Sequence, residues 1–303
     1  MLSTSSDLEE LRRRLDGIDN NLQDLLIERM AVIARVAAQK QNGSVTPHVP
    51  AREAEMLRRL VERQGDRFPA GTFVRMWREL LAATTRQQGA FAIAAYAPPS
   101  APGVWDLARD HYGSQTPLTA YQTTFQVIRA VSERRVAVGV LPAPQDDDAD
   151  PWWRHLLSPD EETPRVIARL PFGPPGNARS DGDALAIGYG AQQPTGYDRT
   201  LLATENAVQI SRGRLVTVLT GVGLTCLRQF WCVHAEAANT LIELEGYVPL
   251  ADPRLGALRE QFGGDLYRLV AVGGYAVPLP GAGAGQGAGI AMQALGDTAS
   301  VRG

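Results

Sequence analysis

The first 90 residues carry the hydrophobic pattern of helices. From Leu8 to about Gln41 no proline interrupts the chain, and apolar residues return in steps of three and four, which predicts one long amphipathic helix. Ser6 or Asp7 is expected to cap its start. The apolar stripe consists of Leu8, Leu11, Leu15, Ile18, Leu22, Leu25, Leu26, Ile33 and Val36.

Two shorter helices are predicted after it. The stretch NGSVTPHVP ends the first helix, and a second runs from about Pro50 to Gln64, with proline in its first turn. GDRFPAG is another break, and a third helix runs from about Ala70 to Gln88. The first helix would be about 50 Å long, so the shorter two could cover only part of it. Its apolar stripe therefore predicts pairing with a second copy of the chain.

After Phe91 the pattern changes to short strand-like runs that alternate with helical stretches, which indicates α/β structure. From about Arg199 a small βαβ-type unit is predicted, with LVTVLTGVGLTCLRQF as its first helix. The tail after Pro280 is rich in glycine and alanine and is predicted to be disordered. The earlier strand-like runs are FAIAAYAP, VAVGVLPAP, VIARLPF and ALAIGYG, and the helical ones are VWDLARDHYG and TTFQVIRAVSE.

Composition narrows the class of protein. The 303 residues suggest two or three domains, and a net charge of −3 argues against a nucleic-acid partner. Only Cys226 and Cys232 occur, which favours a reducing compartment. The start MLSTSSDLEELRRR lacks a secretory signal, and no run of about 18 apolar residues could span a membrane. We expect a cytoplasmic protein without a membrane partner. The four histidines show no metal-ligand spacing.

One residue stands out among the 30 basic side chains, because Lys40 is the only lysine. An ammonium group is a compact point charge, whereas a guanidinium is a planar fork suited to carboxylates. Arg29 lies about three helical turns before Lys40, on nearly the same face and about 16 Å away, so the two could flank a small molecule. Arg12 is about 26 Å before Arg29 and could reach that molecule only from the partner in an antiparallel dimer.

Polar residues also mark the two shorter helices. Arg52 and Glu53 open the second, and Thr84 and Gln88 share one face of the third. Taken singly, each is more typical of a solvated helix surface, and Glu53 is stabilised by the helix dipole wherever it points. Only the combined pattern indicates a site.

That combined pattern resembles the all-helical chorismate mutases over residues 7–90. The segments that carry the resemblance are LRRRLDGIDNNLQDLLIERMAVIARVAAQK, PAREAEMLRRL and MWRELLAATTRQQ. The family implies a three-helix, intertwined dimer that converts chorismate to prephenate without metal or cofactor. Val49 departs from the pattern, since some relatives carry an aspartate there that contacts the substrate hydroxyl.

The resemblance also implies a role for each candidate residue. Lys40 and Gln88 would donate hydrogen bonds to the ether oxygen whose bond breaks, and Glu53 would accept one from the ring hydroxyl. Arg29, Thr84 and an Arg12 contributed by the partner subunit would contact the substrate carboxylates. Arg52 would help to shape the anionic end of the pocket.

Residues 93–199 resemble a shortened prephenate dehydratase segment, although a plain α/β scaffold remains an alternative. The family's E-N-S positions read 143-APQ-145, and its catalytic T-R-F positions read 182-GDA-184. We therefore expect no dehydratase activity. Residues 200–280 resemble an ACT domain, the βαββαβ amino-acid-binding module. Its phenylalanine-binding G-A-L motif reads 213-GRL-215, which puts regulation by phenylalanine in doubt.

The predicted organisation is multidomain. An all-α mutase domain spans 1–92, an α/β segment 93–199, an ACT-like α+β domain 200–280 and a disordered tail 281–303. The leading hypothesis is a dimeric chorismate mutase that acts on chorismate. Its rival is a non-catalytic sensor in which the helices only dimerise, and an active bifunctional enzyme is disfavoured by the lost T-R-F motif.

Overall fold

A computed structural model describes most of the chain. The predicted tail lies outside the described residues except for Gly281. The described ranges are 3–40, 48–65, 67–146, 148, 151–179, 182–234 and 237–281.

The three predicted N-terminal helices are confirmed. They are α1 (Ser3–Lys40), α2 (Pro50–Gln64) and α3 (Ala70–Gln88). Pro50 occupies the first turn of α2, and the helix ends at Gly65 in the left-handed region with φ 57°. The predicted cap at Ser6 or Asp7 is wrong, because α1 already begins at Ser3. No residue between Ser3 and Asp7 is a helix breaker, so the helix continues toward the N-terminus.

Only the end of α1 is packed against the rest of the chain. Every side chain from residue 7 to residue 28 is exposed, including leucines such as Leu15 and Leu25, which are 59% and 61% exposed. Partial burial begins at Arg29 and continues at Ile33, where α1 lies against α3. The apolar stripe predicted from the sequence is therefore uncovered along most of α1 in the single chain.

The α/β region contains a nine-stranded sheet with helices packed against it. The strand order is β2-β1-β3-β5-β4-β9-β6-β8-β7. Sequence analysis missed β2, a four-residue strand. In the first half the strands and helices are β1 (Ile93–Tyr96), α4 (Gly103–Tyr112), β2 (Leu118–Tyr121), α5 (Thr124–Ser132), β3 (Val138–Pro142), β4 (Arg165–Leu170) and β5 (Ala184–Gly188).

The second half of the sheet has the element order βαββαβ. The predicted helix LVTVLTGVGLTCLRQF is wrong in its second half. Its chain leaves the helix at Gly221 and turns at Gly223, which has φ 78°, and the Cys226–His234 segment then pairs with its neighbour as an antiparallel strand. The elements are β6 (Asp198–Ala207), α6 (Arg212–Gly221), β7 (Cys226–His234), β8 (Ala237–Glu245), α7 (Pro253–Phe262) and β9 (Leu266–Ala276).

The two halves of the sheet are joined where β4 meets β9. Gly273 pairs there with Val166, and a Cβ on Gly273 would lie 2.2 Å from the Val166 carbonyl oxygen. Its φ of 119° also disfavours any side chain. The guanidinium of Arg169 on β4 donates to the Tyr275 hydroxyl at 2.9 Å, and this hydroxyl donates to Glu243 on β8 at 2.6 Å. Glycine and a buried polar network thus hold the junction together.

The helix α2 is packed against β9 of this sheet, whereas α3 is packed against α4. Leu57 on α2 is fully buried and clusters with Phe172, which follows β4. Arg58 donates to the Tyr197 and Val277 carbonyl oxygens at 2.8 and 2.7 Å, next to the start of β6 and the end of β9. The α/β region therefore contacts the helices that carry four of the seven candidate site residues.

Candidate functional site

Arg29 lies where α1 meets α3. Its guanidinium carbon is 5.7 Å from the centre of the Trp77 ring, and Nη1 is buried without a hydrogen-bond partner among the described residues. Burial lowers the pKa of Arg29, although a guanidinium remains charged at neutral pH. A partly desolvated cation with an unused donor is well suited to binding an anion.

Lys40 is the last residue of α1. The structure places its backbone at the predicted position, three turns beyond Arg29, and its side chain lies outside what the structure describes. The predicted contact between Lys40 and a ligand stays a prediction.

Thr84 and Gln88 lie one turn apart on α3, as predicted. The buried Thr84 hydroxyl donates to the Leu81 carbonyl oxygen at 2.8 Å, and the Gln88 side-chain amide donates to the Thr84 carbonyl oxygen at 3.1 Å. Both side chains therefore contact their own helix. Either could rotate toward a ligand at the cost of one such bond.

Glu53 is held by a residue that sequence analysis did not single out. Its Oε2 accepts a hydrogen bond from Nη1 of Arg78 on α3 at 2.8 Å, and its Oε1 lies 3.8 Å from Nε2 of His48. Arg78 is 5% exposed and Glu53 14%. Nothing in the spacing of Arg78 distinguishes it from neighbouring arginines on α3, so the sequence offered no signal for this ion pair.

The pair lies inside a cluster of buried titratable groups. His48 contacts Tyr112, with ring centres 5.5 Å apart, and His111 also lies next to Tyr112. Burial lowers the pKa of His48 and lowers that of His111 further, whereas it raises the pKa of Tyr112. The two histidines and the tyrosine are therefore neutral near pH 7. The spacing of the histidines in the sequence gives no sign that two of them contact the same tyrosine.

Arg12 and Arg52 are exposed, and neither makes an ion pair with another described residue. Within the single chain, Glu53 on α2 contacts α3 through Arg78, and Arg29 on α1 contacts α3 through Trp77. The single chain does not bring Arg12 to the other candidates, because the N-terminal half of α1 extends away from α3. Seen from one chain, the candidate site is incomplete.

A cavity of about 490 Å³ lies on the opposite face of α3 from Thr84 and Gln88. It is lined by α3, α4 and residues 171–177, and Arg78 forms part of its wall. Arg75, one turn before Arg78, also lines the cavity and forms an ion pair with Asp110 on α4 at 2.5 Å. Arg78 therefore stands between this cavity and Glu53.

The described residues contain neither a candidate metal site nor a membrane-spanning helix. No group of three or more histidine, cysteine, aspartate or glutamate side chains there could hold a metal ion. No helix of the described part of the chain is long and apolar enough to cross a membrane.

Comparison with known proteins gives a relative that matches part of the chain. A bifunctional chorismate mutase/prephenate dehydratase of Aquifex aeolicus (strain VF5) is 29% identical over 140 residues. The aligned region is 45% of this chain and 38% of the relative, so the match spans less than two fifths of that protein.

Solved structures resemble the α/β region at low sequence identity. A prephenate dehydratase from Streptococcus mutans aligns with 62% of this chain and 98% of its own, at 14% identity and a TM-score of 0.43. A quorum-quenching acylase named GqqA aligns with 61% of this chain and 95% of its own, at 18% identity and a TM-score of 0.44.

The family comparison identifies the helical part. Residues 11–89 match the family "Chorismate mutase type II". The matched range begins just before Arg12 and ends just after Gln88, so it includes all seven candidate residues. Residues 11–89 of this chain form a domain of the chorismate mutase type II family.

Proposed function

We propose that the protein is a homodimeric chorismate mutase. The observation that carries this proposal is the family match over residues 11–89, a range that contains all seven candidate residues. The reaction is a rearrangement within one molecule, in which an ether C–O bond breaks as a C–C bond forms. The enzyme must hold the substrate in a folded shape and stabilise negative charge on the ether oxygen.

The candidate residues divide this work according to their chemistry. The substrate has two carboxylates, and the forked cations Arg29 and Arg12 of the second subunit can each bind one. Arg52 adds positive charge at that end, and Thr84 offers a hydroxyl. The structural support is strongest for Arg29, because its buried Nη1 lacks a hydrogen-bond partner among the described residues.

Two donors are proposed to act on the ether oxygen itself. Lys40 offers a point charge and Gln88 an amide, and both suit a single oxygen atom better than a fork does. Glu53 is proposed to accept a hydrogen bond from the ring hydroxyl with its Oε1, since Oε2 is bound to Arg78. Catalysis would then rest on preorganised charge rather than on a nucleophile.

The proposed dimer follows from the uncovered apolar stripe of α1. Eight large apolar side chains between Leu8 and Ile27 are 41% to 61% exposed in the single chain. A contiguous apolar face of this kind requires a partner, and an isologous contact between two copies of α1 would cover both at once. In an antiparallel arrangement it also carries Arg12 to the other subunit's Arg29.

We expect that a single charge in this stripe separates the subunits. Leu22→Glu would bury a carboxylate in the interface, so the protein should become monomeric and lose mutase activity. Light scattering after gel filtration measures the mass. Leu250→Glu is the matched control, since Leu250 is 66% exposed but lies outside the helical region. A Leu22→Glu protein that stays dimeric would contradict the proposed interface.

We also propose that the α/β region has no dehydratase activity. The positions of the T-R-F motif hold Gly182, Asp183 and Ala184, and the Asp183 carboxylate is already bound to the Arg169 guanidinium. The boundaries proposed for this region are 93–199 and 200–280. The βαββαβ order and its strand arrangement support an ACT-like fold for the second part.

Product analysis with chorismate tests both proposals. The purified protein is incubated with chorismate, and acidified and non-acidified samples are assayed for prephenate and phenylpyruvate. We expect prephenate above the spontaneous background, with phenylpyruvate only after acidification. No prephenate above background would exclude the mutase and favour a non-catalytic sensor. Enzyme-dependent phenylpyruvate before acidification would instead indicate an active bifunctional enzyme.

A further inference from the structure

The ion pair between Arg78 and Glu53 connects the candidate site to the interior of the protein. Removing one partner of a buried pair leaves an uncompensated charge, so the two side chains constrain each other strongly. Glu53 is the only ion-pair partner of Arg78 among the described residues. The carboxylate that is proposed to meet the substrate is therefore fixed by α3, not free to sample rotamers on α2.

Arg78 is itself fixed by the α/β region. The Phe172 ring lies 5.2 Å from its guanidinium carbon, and residues of α4 close the space around it. His48, His111 and Tyr112 are the titratable groups facing the pair, and burial keeps each of them neutral near pH 7. No second full charge in this part of the structure competes with Glu53 for the guanidinium.

The geometry also distinguishes the two oxygens of Glu53. Oε2 is taken by Arg78 at 2.8 Å, whereas Oε1 has no described partner within hydrogen-bonding distance, His48 being 3.8 Å away. A carboxylate held at one oxygen presents the other in a defined direction. That is the arrangement a hydrogen-bond acceptor needs if it is to orient a hydroxyl group.

We propose that Arg78 is a positioning residue of the mutase, which orients Glu53 toward the substrate hydroxyl and ties it to the α/β region. This inference rests on the proposed function. It assigns the C-terminal region a part in catalysis: Phe172 and α4 support Arg78, Arg78 supports Glu53, and Glu53 contacts the substrate. The α/β region then forms the back wall of the mutase site even without an activity of its own.

A double-mutant cycle separates this role from plain stabilisation of the α2–α3 contact. Arg78→Gln and Arg78→Lys are made in the natural chain and in a Glu53→Gln background. We expect Arg78→Gln to lower mutase kcat/KM by about 10²-fold in the natural chain, because Glu53 loses its orientation. Arg78→Lys should recover part of that loss. In the Glu53→Gln background the same Arg78→Gln change should cost about threefold or less.

Chemical rescue provides a second readout. Arg78 lines the 490 Å³ cavity, so truncation to alanine opens a path from that cavity to Glu53. Guanidinium ion at millimolar concentration should restore part of the activity of Arg78→Ala. Arg75→Ala is the matched control, because Arg75 lies one turn away in the same cavity but pairs with Asp110. It should keep most of the activity and show no rescue.

The outcomes separate the inference from the proposed function. An inactive natural chain would exclude the proposed function before any variant is made. An active natural chain in which Arg78→Gln costs the same with and without Glu53 would overturn only the positioning role, as would an equal loss in Arg75→Ala. If Arg78→Gln does not fold in the natural chain, the cycle is made with Arg78→Lys in both backgrounds, because lysine keeps a positive charge beside Glu53.

Discussion

Replacing Lys40 by alanine is expected to lower mutase kcat by about 10²- to 10³-fold while leaving the dimer intact. A preorganised donor at a developing negative charge contributes this much in other sites of the same electrostatic type. KM should change far less, because the ether oxygen carries little charge in the ground state and other residues are proposed to bind the carboxylates. Initial rates of chorismate consumption, with gel filtration for the subunit mass, measure both expectations.

Two further variants make the Lys40 result specific. Lys40→Arg keeps the positive charge but replaces a point donor by a planar fork, so we expect it to remain well below the natural chain. Arg35→Ala removes an exposed cation from a different face of α1 and should leave kcat nearly unchanged. Near-natural turnover in Lys40→Ala would show that the ether oxygen is stabilised by other groups.

The helical part of the fold could be predicted from the sequence, because its signals are local. Uninterrupted apolar spacing and well-placed breaks predicted the bounds of α2 and α3, and they predicted α1 except for its start, which lies at Ser3 rather than near Leu8. The end of α6 was misjudged for the opposite reason. Apolar residues continue past Gly223 without a change in composition, and only the pairing of Cys226–His234 with β8 makes them a strand. Such pairing is a tertiary effect that periodicity does not report.

The residues of the candidate site also differ in whether the sequence carries a local signal for them. Arg29 and Glu53 could be named from their place in a sequence pattern, but Arg78 could not. Its helix carries Arg75 and Arg86 as well, and only the approach of α4 and Phe172 makes Arg78 the buried one. Burial of a charge depends on elements distant in sequence, so it becomes visible only in the folded chain. The covering of Arg78 by the α/β region was unpredictable for the same reason.

Mixed dimers of two inactive variants are expected to recover activity. Arg12→Ala and Lys40→Ala are each expected to inactivate a homodimer, because every site in it lacks one of the two cations. If Arg12 serves the partner's site, a dimer with one subunit of each kind has one site with both lesions and one intact site. Such a mixed dimer should show about half the turnover of the natural dimer.

The experiment requires a pure mixed dimer, and its opposite outcome is equally defined. The two variants are co-expressed with different affinity tags, and successive purification on both tags isolates dimers with one subunit of each kind. If Arg12 instead acted within its own chain, both sites of the mixed dimer would carry one lesion and no activity would return. Co-expression of Lys40→Ala under both tags is the control for the purification.

Since α1 holds Arg12 and Lys40 about 40 Å apart on one rigid helix, a single small substrate cannot contact both from the same subunit. Restoration would therefore establish that the site is built from two chains, which the uncovered stripe of α1 already favours.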